Sequence, residues 1–291
     1  MMTGIILKAV GGFYDVFSDG RVIRCRARGK FRKDGVIPVV GDHVEINPGS
    51  NIQEGTIENI LDRRNFLGRP AVANVDNLIV ILAAASPEPD LLLTDKLLIS
   101  AEYKGIQPII VINKTDLADS ARIEALVGEF RNTGYPCHAI SAKHNLGLEA
   151  LVKSIKGITA LAGQSGVGKS SVINRLCPKL QLETGDLSVK IQRGRHTTRH
   201  VELIILDEGG MIVDTPGFSQ LDLNELQPEQ LQEFYPDFKP FRDKCRFTGC
   251  MHFNEPDCAV KEAFAEGEIS EGRYSRYARL AKDIIANRRY D

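Results

Sequence analysis

The sequence predicts a multidomain α/β protein in three parts: a small N-terminal β-barrel, a central domain of parallel strands and helices, and a C-terminal helical domain built around a metal. Three observations predict it. Short β-prone runs broken by Gly, Pro and Asn fill the first sixty or so residues; apolar strands then alternate with amphipathic stretches; and three of the six cysteines gather beside a histidine near the C-terminus. The 291 residues suffice for two or three domains, and 43% apolar with 26% charged residues excludes a chain that is disordered or fibrous throughout. The longest apolar run, 78–85, is eight residues, against about 20 for a membrane span. Met1 leads into no signal-peptide pattern, so no membrane contact and a cytoplasmic location are expected. Lys and Arg total 37 against 38 Asp and Glu, so any nucleic-acid surface must come from local segregation of charge.

Strands are expected at 4–10, 13–17, 22–27, 42–46 and 54–60, a set that suits a closed barrel of the OB type, which presents a face and loops to oligonucleotides. Arg21, Arg24, Arg26, Arg28, Lys30, Arg32 and Lys33 surround Phe31 with no acid among them. Phosphate contacts and a solvated strand face beside a turn both account for this run. The central pattern predicts strands at 77–84, 107–113, 136–141, 158–162, 201–206 and 211–214. Helices are expected near 91–103, 119–132 and 147–156, with another starting at Gly168. A terminal helix is expected near 271–288, where Arg273, Arg276, Arg279 and Lys282 could contact phosphate or form a solvated face. Domains are placed at 1–68, 69–223 and 224–291.

Gly163-Gln164-Ser165-Gly166-Val167-Gly168-Lys169-Ser170 is a full GxxxxGKS phosphate loop between an expected strand and an expected helix. Its backbone N–H groups can face a polyphosphate, Lys169 can neutralise the outer phosphates, and Ser170 can reach Mg²⁺. The bland alternative is a Gly-rich turn. Asn113-Lys114-Thr115-Asp116 follows an apolar strand and selects guanine. Asp116 can accept from the ring N1–H and the exocyclic amine, Asn113 can hold the loop and meet N7, and the Lys114 stem can lie along the ring. Ser141-Ala142-Lys143 fits a third base-side segment, with backbone N–H groups near Ala142 approaching the guanine carbonyl; a simple loop is its null. Asp214-Thr-Pro-Gly217 ends a strand, where Asp214 can bind Mg²⁺ through water and the Gly217 N–H can meet the γ-phosphate. Thr197 and Thr198, in a polar segment at 193–199, offer a switch ligand to Mg²⁺, with Thr198 preferred.

NKxD and SAK here precede the phosphate loop and DTPG comes last, a circular permutation of the usual guanine-nucleotide order. It sets the second switch at the domain's C-terminal edge, so the C-terminal domain is expected to read the γ-phosphate state. Phe218 stands where many such proteins carry a water-orienting glutamine; His196, in the switch segment, has a suitable group and a pKa near neutrality. RNA contact or packing is the alternative for His196. Slow intrinsic hydrolysis that a partner accelerates is expected. Cys245, Cys250, His252 and Cys258 offer three thiolates and an imidazole to one closed, structural Zn²⁺ site. His43, His138, His144 and His200 carry weaker claims.

Together, the basic barrel, the permuted NKTD, SAK, GQSGVGKSS, GRHTTRH and DTPGF segments and the CxxxxCxHxxxxxC cluster resemble the RsgA (YjeQ) family of circularly permuted GTPases over nearly the whole chain. The resemblance implies an OB domain, a GTPase domain and a zinc domain. It also implies a GTP hydrolase that binds the small ribosomal subunit and its rRNA late in assembly and is released on subunit-stimulated hydrolysis; a monomer is expected. It extends the nucleotide-binding stretch to Ser171 and makes His196 the family's proposed catalytic histidine. Two other readings compete: a P-loop ATPase or small-molecule kinase, which Asp116 argues against, and an RNA-binding module for which GTP is a structural ligand.

Overall fold

The computed structural model describes residues 1–33, 35–49, 54–68, 70–178, 201–214 and 226–288. The N-terminal part comprises β1 (Met2–Val10), β2 (Phe13–Ser18), β3 (Arg21–Ala27), the short helix α1 (Gly29–Lys33), β4 (His43–Asn47) and β5 (Gly55–Ile60). β1 pairs antiparallel with both β2 and β4, and β3 runs parallel to β5, so the order 1-2-3-5-4 closes on itself. Closure leaves no free edge, and the interior is filled by residues such as Ile6, Val16, Cys25, Val44, Ile46 and Ile57. α1 lies inside the basic run, just after the expected strand at 22–27. Phe31 is 8% exposed and packs into the barrel core, so it is a wall residue rather than an exposed stacking ring.

A ribbon of β6 (Phe66–Gly68) and β7 (Ala71–Ala73) leads into the central domain. There β8 (Val75–Ala83), α2 (Leu91–Tyr103), β9 (Gln107–Asn113), α3 (Ser120–Gly128) and β10 (Cys137–Ala139) are followed by α4 (Leu148–Ser154), β11 (Ile158–Ala162), α5 (Lys169–Leu176), β12 (Glu202–Ile205) and β13 (Met211–Asp214). The sheet order is β10-β9-β8-β11-β13-β12, with β12 antiparallel to its neighbour β13 and the other pairs parallel. β8 is apolar on both faces because helices cover both. Leu78, Val80 and Leu82 pack with Leu97, Leu98 and Leu126 of α2 and α3, while Ile79 and Ile81 pack with Leu151, Val172 and Ile173 of α4 and α5. The chain winds outward in opposite directions from β8 and from β11, which opens a crevice at the carboxyl ends of these strands. β12 extends the sheet to the barrel: Lys8 pairs with Glu202, Nζ to Oε2 at 2.6 Å, and Leu7 of β1 shares a core with Leu203 and Val213.

The C-terminal part consists of 3₁₀ segments Pro228–Phe234 and Pro236–Phe238, α6 (Lys239–Arg242), α7 (Ala259–Ala265) and α8 (Glu271–Arg288). Tyr235, Phe238, Tyr277, Leu280 and Ile284 form its core together with Ile99 of α2. Two of the four α8 cations singled out above are not available to phosphate. Arg273 is 1% exposed, donates to Asp95 Oδ1 at 2.7 Å and Asp237 Oδ1 at 2.8 Å, and lies over the Tyr235 ring; Arg276 bridges Asp95 and Glu129. Arg279 and Lys282 remain exposed. Asp95, fully buried on α2, is therefore the charge that fastens α8 to the central domain. Removing one member of a buried charge network leaves its partner unpaired and costs about 3–5 kcal/mol. Asp95→Ala is accordingly expected to lower the melting temperature by roughly 6–20 °C in scanning calorimetry.

Candidate functional site

The crevice holds a cavity of about 480 Å³ lined by Asn113, Lys114, Asp116, Leu117, Ala142, Lys143, Gly168, Ser171, Asn174 and Arg175. β9 delivers Asn113 at its last position, and β11 delivers Gly163 directly after its own. Gly168 has φ +94 and precedes α5; a Cβ there would stand 2.5 Å from Asn113 Nδ2, so only glycine lets the phosphate loop pass this close. Asn113 uses that proximity. Its Nδ2 donates to the Val167 carbonyl at 2.9 Å and its Oδ1 accepts from Ala142 N–H at 3.1 Å, tying the phosphate loop to the third base-side loop. Lys114, with φ +62, donates from Nζ to the Ser86 carbonyl at 2.7 Å. Thr115 N–H donates to the Ile140 carbonyl at 3.2 Å.

Asp116 is oriented by Ser141, whose hydroxyl donates to Oδ1 at 2.6 Å and holds the carboxyl below the usual aspartate range. His144 Nε2 lies 3.7 Å from Asp116 Oδ2. Lys169 Nζ donates to the Gly163 and Gln164 carbonyls, both at 2.8 Å, and burial holds its ammonium below the usual lysine range. Ser170 follows in the first turn of α5. Parallel pairing of β13 with β11 carries Asp214, at the end of β13, towards the same edge as the phosphate loop. Hydroxyl and carboxylate oxygens are the hard donors that Mg²⁺ takes, so this set fits a nucleotide-bound Mg²⁺. His196, Thr197, Thr198, Gly217 and Phe218 lie outside the described residues, as does the Asp214 side chain.

The second constellation assembles from a loop and the start of α7. Ligand atoms of Cys245, Cys250, His252 and Cys258 lie within 4.8 Å of one another. Zinc–sulfur and zinc–nitrogen bonds of the usual lengths, set tetrahedrally, imply edges of about 3.8 Å between sulfurs and about 3.5 Å from sulfur to nitrogen. The cluster shows 3.8 Å from Cys245 to Cys258, and 3.5 and 3.4 Å from His252 Nδ1 to these two sulfurs. Three of the four ligands therefore match the edges of a tetrahedral ion, and the Cys250 sulfur lies within 4.8 Å of them, which is compatible with a fourth position. Gln232, which the sequence pattern did not single out, explains which histidine nitrogen faces the sulfurs. Its Oε1 lies 2.7 Å from His252 Nε2, while its amide nitrogen donates to the Glu229 and Cys250 carbonyls, so Nε2 carries the proton and Nδ1 the lone pair.

On the barrel, Arg24 and Arg26 stack over the Phe13 ring at 4.4 and 4.3 Å. The acids absent from the basic run are supplied by distant residues: Arg26 pairs with Glu54 at 2.7 Å and Arg28 with Glu58 at 2.9 Å. Beside them, Tyr14, Arg28, Phe31, Val36 and Ile37 line a largely apolar groove.

The family described as RsgA GTPase matches residues 60–224, and that described as RsgA N-terminal domain matches residues 3–57. The chain is 44% identical over its full length, and over all of the relative, to the small ribosomal subunit biogenesis GTPase RsgA of Alkaliphilus metalliredigens. It is 45% identical to the protein of the same name from a Geobacillus species, with 98% of both chains covered. The chain belongs to the RsgA GTPase family. The crystal structure of YjeQ from Thermotoga maritima superposes with a TM-score of 0.84 at 36% identity, covering 98% of both chains. That of YloQ, a circularly permuted GTPase, gives 0.83 at 36% identity over 99% of this chain and 96% of the other. The RsgA fold thus accounts for the permuted strand order, with the NKxD strand β9 preceding the phosphate-loop strand β11. Within this RsgA chain, Asn174 and Arg175 are cavity residues that motif reading missed. With Ser171 they fall at i, i+3 and i+4, one face of α5, which is the signal that locates them.

Proposed function

We propose that the chain hydrolyses GTP to GDP and phosphate in the cytoplasm and acts in biogenesis of the small ribosomal subunit, with hydrolysis stimulated by that subunit. The observation that carries the chemistry is the meeting, in one crevice, of a phosphate loop with an aspartate whose acceptor atoms suit a guanine edge. The names of its RsgA relatives support the subunit as partner. Residues 163–171 hold the phosphates, with Lys169 exchanging the loop carbonyls for phosphate oxygens. Asp116 reads N1–H and the 2-amine; Asn113, Lys114, Thr115 and the Ser141-Ala142-Lys143 loop position the base. Ser170, Asp214 and Thr198, with Thr197 the alternative, hold the Mg²⁺, and Gly217 meets the γ-phosphate. Mg²⁺ bound with GTP would offset charge on the β- and γ-oxygens. His196 orients the attacking water in place of the missing glutamine.

Residues 1–68, 69–223 and 224–291 act as RNA-binding, GTPase and zinc-binding units of a monomer. The basic, aromatic barrel face supports contact with the subunit's rRNA, since exposed pairs such as Arg26–Glu54 are weak enough to yield to phosphate. Zn²⁺ at Cys245, Cys250, His252 and Cys258 is structural, because four protein ligands leave no position for substrate.

The test is GTP hydrolysis with Mg²⁺ alone, with purified small subunits and with large subunits, for the native protein and His196→Ala. Small subunits alone are expected to raise turnover, and supplying or ordering a missing catalytic group can be worth about 10³–10⁵-fold. The variant should bind the subunit yet lose the stimulation. Equal rates in all three mixtures would remove the subunit from the reading.

A further inference from the structure

Arg175 lies beyond the phosphate-loop motif, near the end of α5, and among the described residues its partners are carbonyls, with no carboxylate paired to it. Its Nε donates to the Ala142 carbonyl at 2.8 Å and its Nη2 to the Lys143 carbonyl at 3.1 Å. A planar guanidinium making two parallel donations fixes direction as well as distance. Carbonyl and N–H of a trans peptide point opposite ways, so holding the Ala142 carbonyl turns the Lys143 N–H to the side away from Arg175. The preceding N–H, that of Ala142, is already engaged by Asn113 Oδ1 at 3.1 Å. Ala142 and Lys143 both line the cavity that contains Asp116. The loop is thus held from two elements: Asn113 at the end of β9 grips the 141–142 peptide, and Arg175 on α5 grips the carbonyls of the two peptides that follow.

We propose that Arg175 is a positioning residue for recognition of the purine 6-oxo group: by holding the 142–143 peptide, it presents the Lys143 N–H to that oxygen. This rests on the GTP reading above and deepens it. Asp116 reads the N1 and 2-amino edge, while the clamped peptide reads the 6-position, so the two halves of the base are recognised by different elements. Without Arg175 the described contacts that hold the loop are those at Asn113 and Ser141, and the N–H loses its fixed direction while the phosphate and Asp116 contacts persist.

The test is stopped-flow dissociation of GDP, ADP and 2-aminopurine riboside diphosphate, which keeps the 2-amine but lacks the 6-oxo group, from the full-length protein and its Arg175→Ala and Arg175→Lys variants. Loss of one oriented hydrogen bond is expected to raise the GDP off-rate of Arg175→Ala about tenfold and leave the 2-aminopurine off-rate unchanged. Arg175→Lys, with a single point donor, should fall between. An equal acceleration for both nucleotides would mean that Arg175 merely supports α5 and would overturn the proposal, as would an unchanged GDP off-rate. If the native protein releases GDP and ADP alike, the guanine reading itself fails and takes this proposal with it, an outcome distinct from native selectivity that survives in Arg175→Ala.

Discussion

Replacing Asp116 by Asn is expected to weaken GTP binding by about 10²–10⁴-fold, since two hydrogen bonds to a charged acceptor, each worth roughly 1.5–3 kcal/mol, are lost or inverted. Xanthosine triphosphate should gain affinity in the same variant. Its 2-position carries a carbonyl, which the Asn amide can meet as a donor, while the Asn oxygen still accepts from N1–H. The Ser141 hydroxyl, now 2.6 Å from Oδ1, can still donate to an amide oxygen, so the loop should keep its place. Fluorescence titration with both nucleotides checks this, and unchanged GTP affinity in Asp116→Asn would falsify the assignment of Asp116 to the base.

Removing the proposed Zn²⁺ is expected to give the second large effect. Structural zinc sites carry apparent binding free energies of about 10–16 kcal/mol, most of it folding free energy. The core around the cluster is small, and Cys250, Cys258 and His252 are themselves buried within it. Cys258→Ser, or the native protein treated with a strong chelator, is expected to lose about one zinc per chain and the cooperative unfolding of residues 226–288. The barrel and GTP binding should persist, because the barrel has its own core and the nucleotide cavity is lined from β9, α5 and their loops. Zinc released into a colorimetric chelator, together with hydrogen exchange over α7 and α8, gives the readout. A protein that unfolds identically with and without metal would show that aromatic packing of Tyr235, Phe238 and Tyr277 alone holds this region.

Long elements were legible because each carries its period within its own residues. The terminal helix 271–288, α2 at 91–103 and the strands at 107–113 and 158–162 coincide with their sequence expectations. Short elements were not: α1, the β6–β7 ribbon, α6, α7 and the 3₁₀ segments Pro228–Phe234 and Pro236–Phe238, none longer than seven residues, offer too few repeats for a pattern to emerge, and tertiary contacts decide them. The same division runs through the site. The phosphate loop, NKxD and the Cys/His spacing are contiguous strings whose chemistry depends on neighbours in sequence, so the family could be recognised before any fold was built.

Side-chain partners obey no such rule. Arg273 and Arg276 read as phosphate contacts or a solvated face on a helix, yet Asp95, 178 residues from Arg273, pairs with both. Arg26 and Arg28 sit in an acid-free run, yet Glu54, just before the neighbouring strand β5, and Glu58 within it pair with them. Sequence alone determined the reagents: a guanine-type aspartate, a phosphate loop, a thiolate-rich metal set and their permuted order. The tertiary structure alone decided which charges face water, which nitrogen of His252 faces the sulfurs, and which peptide Arg175 clamps. Hydrophobic periodicity is a property of consecutive residues, whereas electrostatic and hydrogen-bond pairing is settled by distances of a few ångströms between groups far apart along the chain.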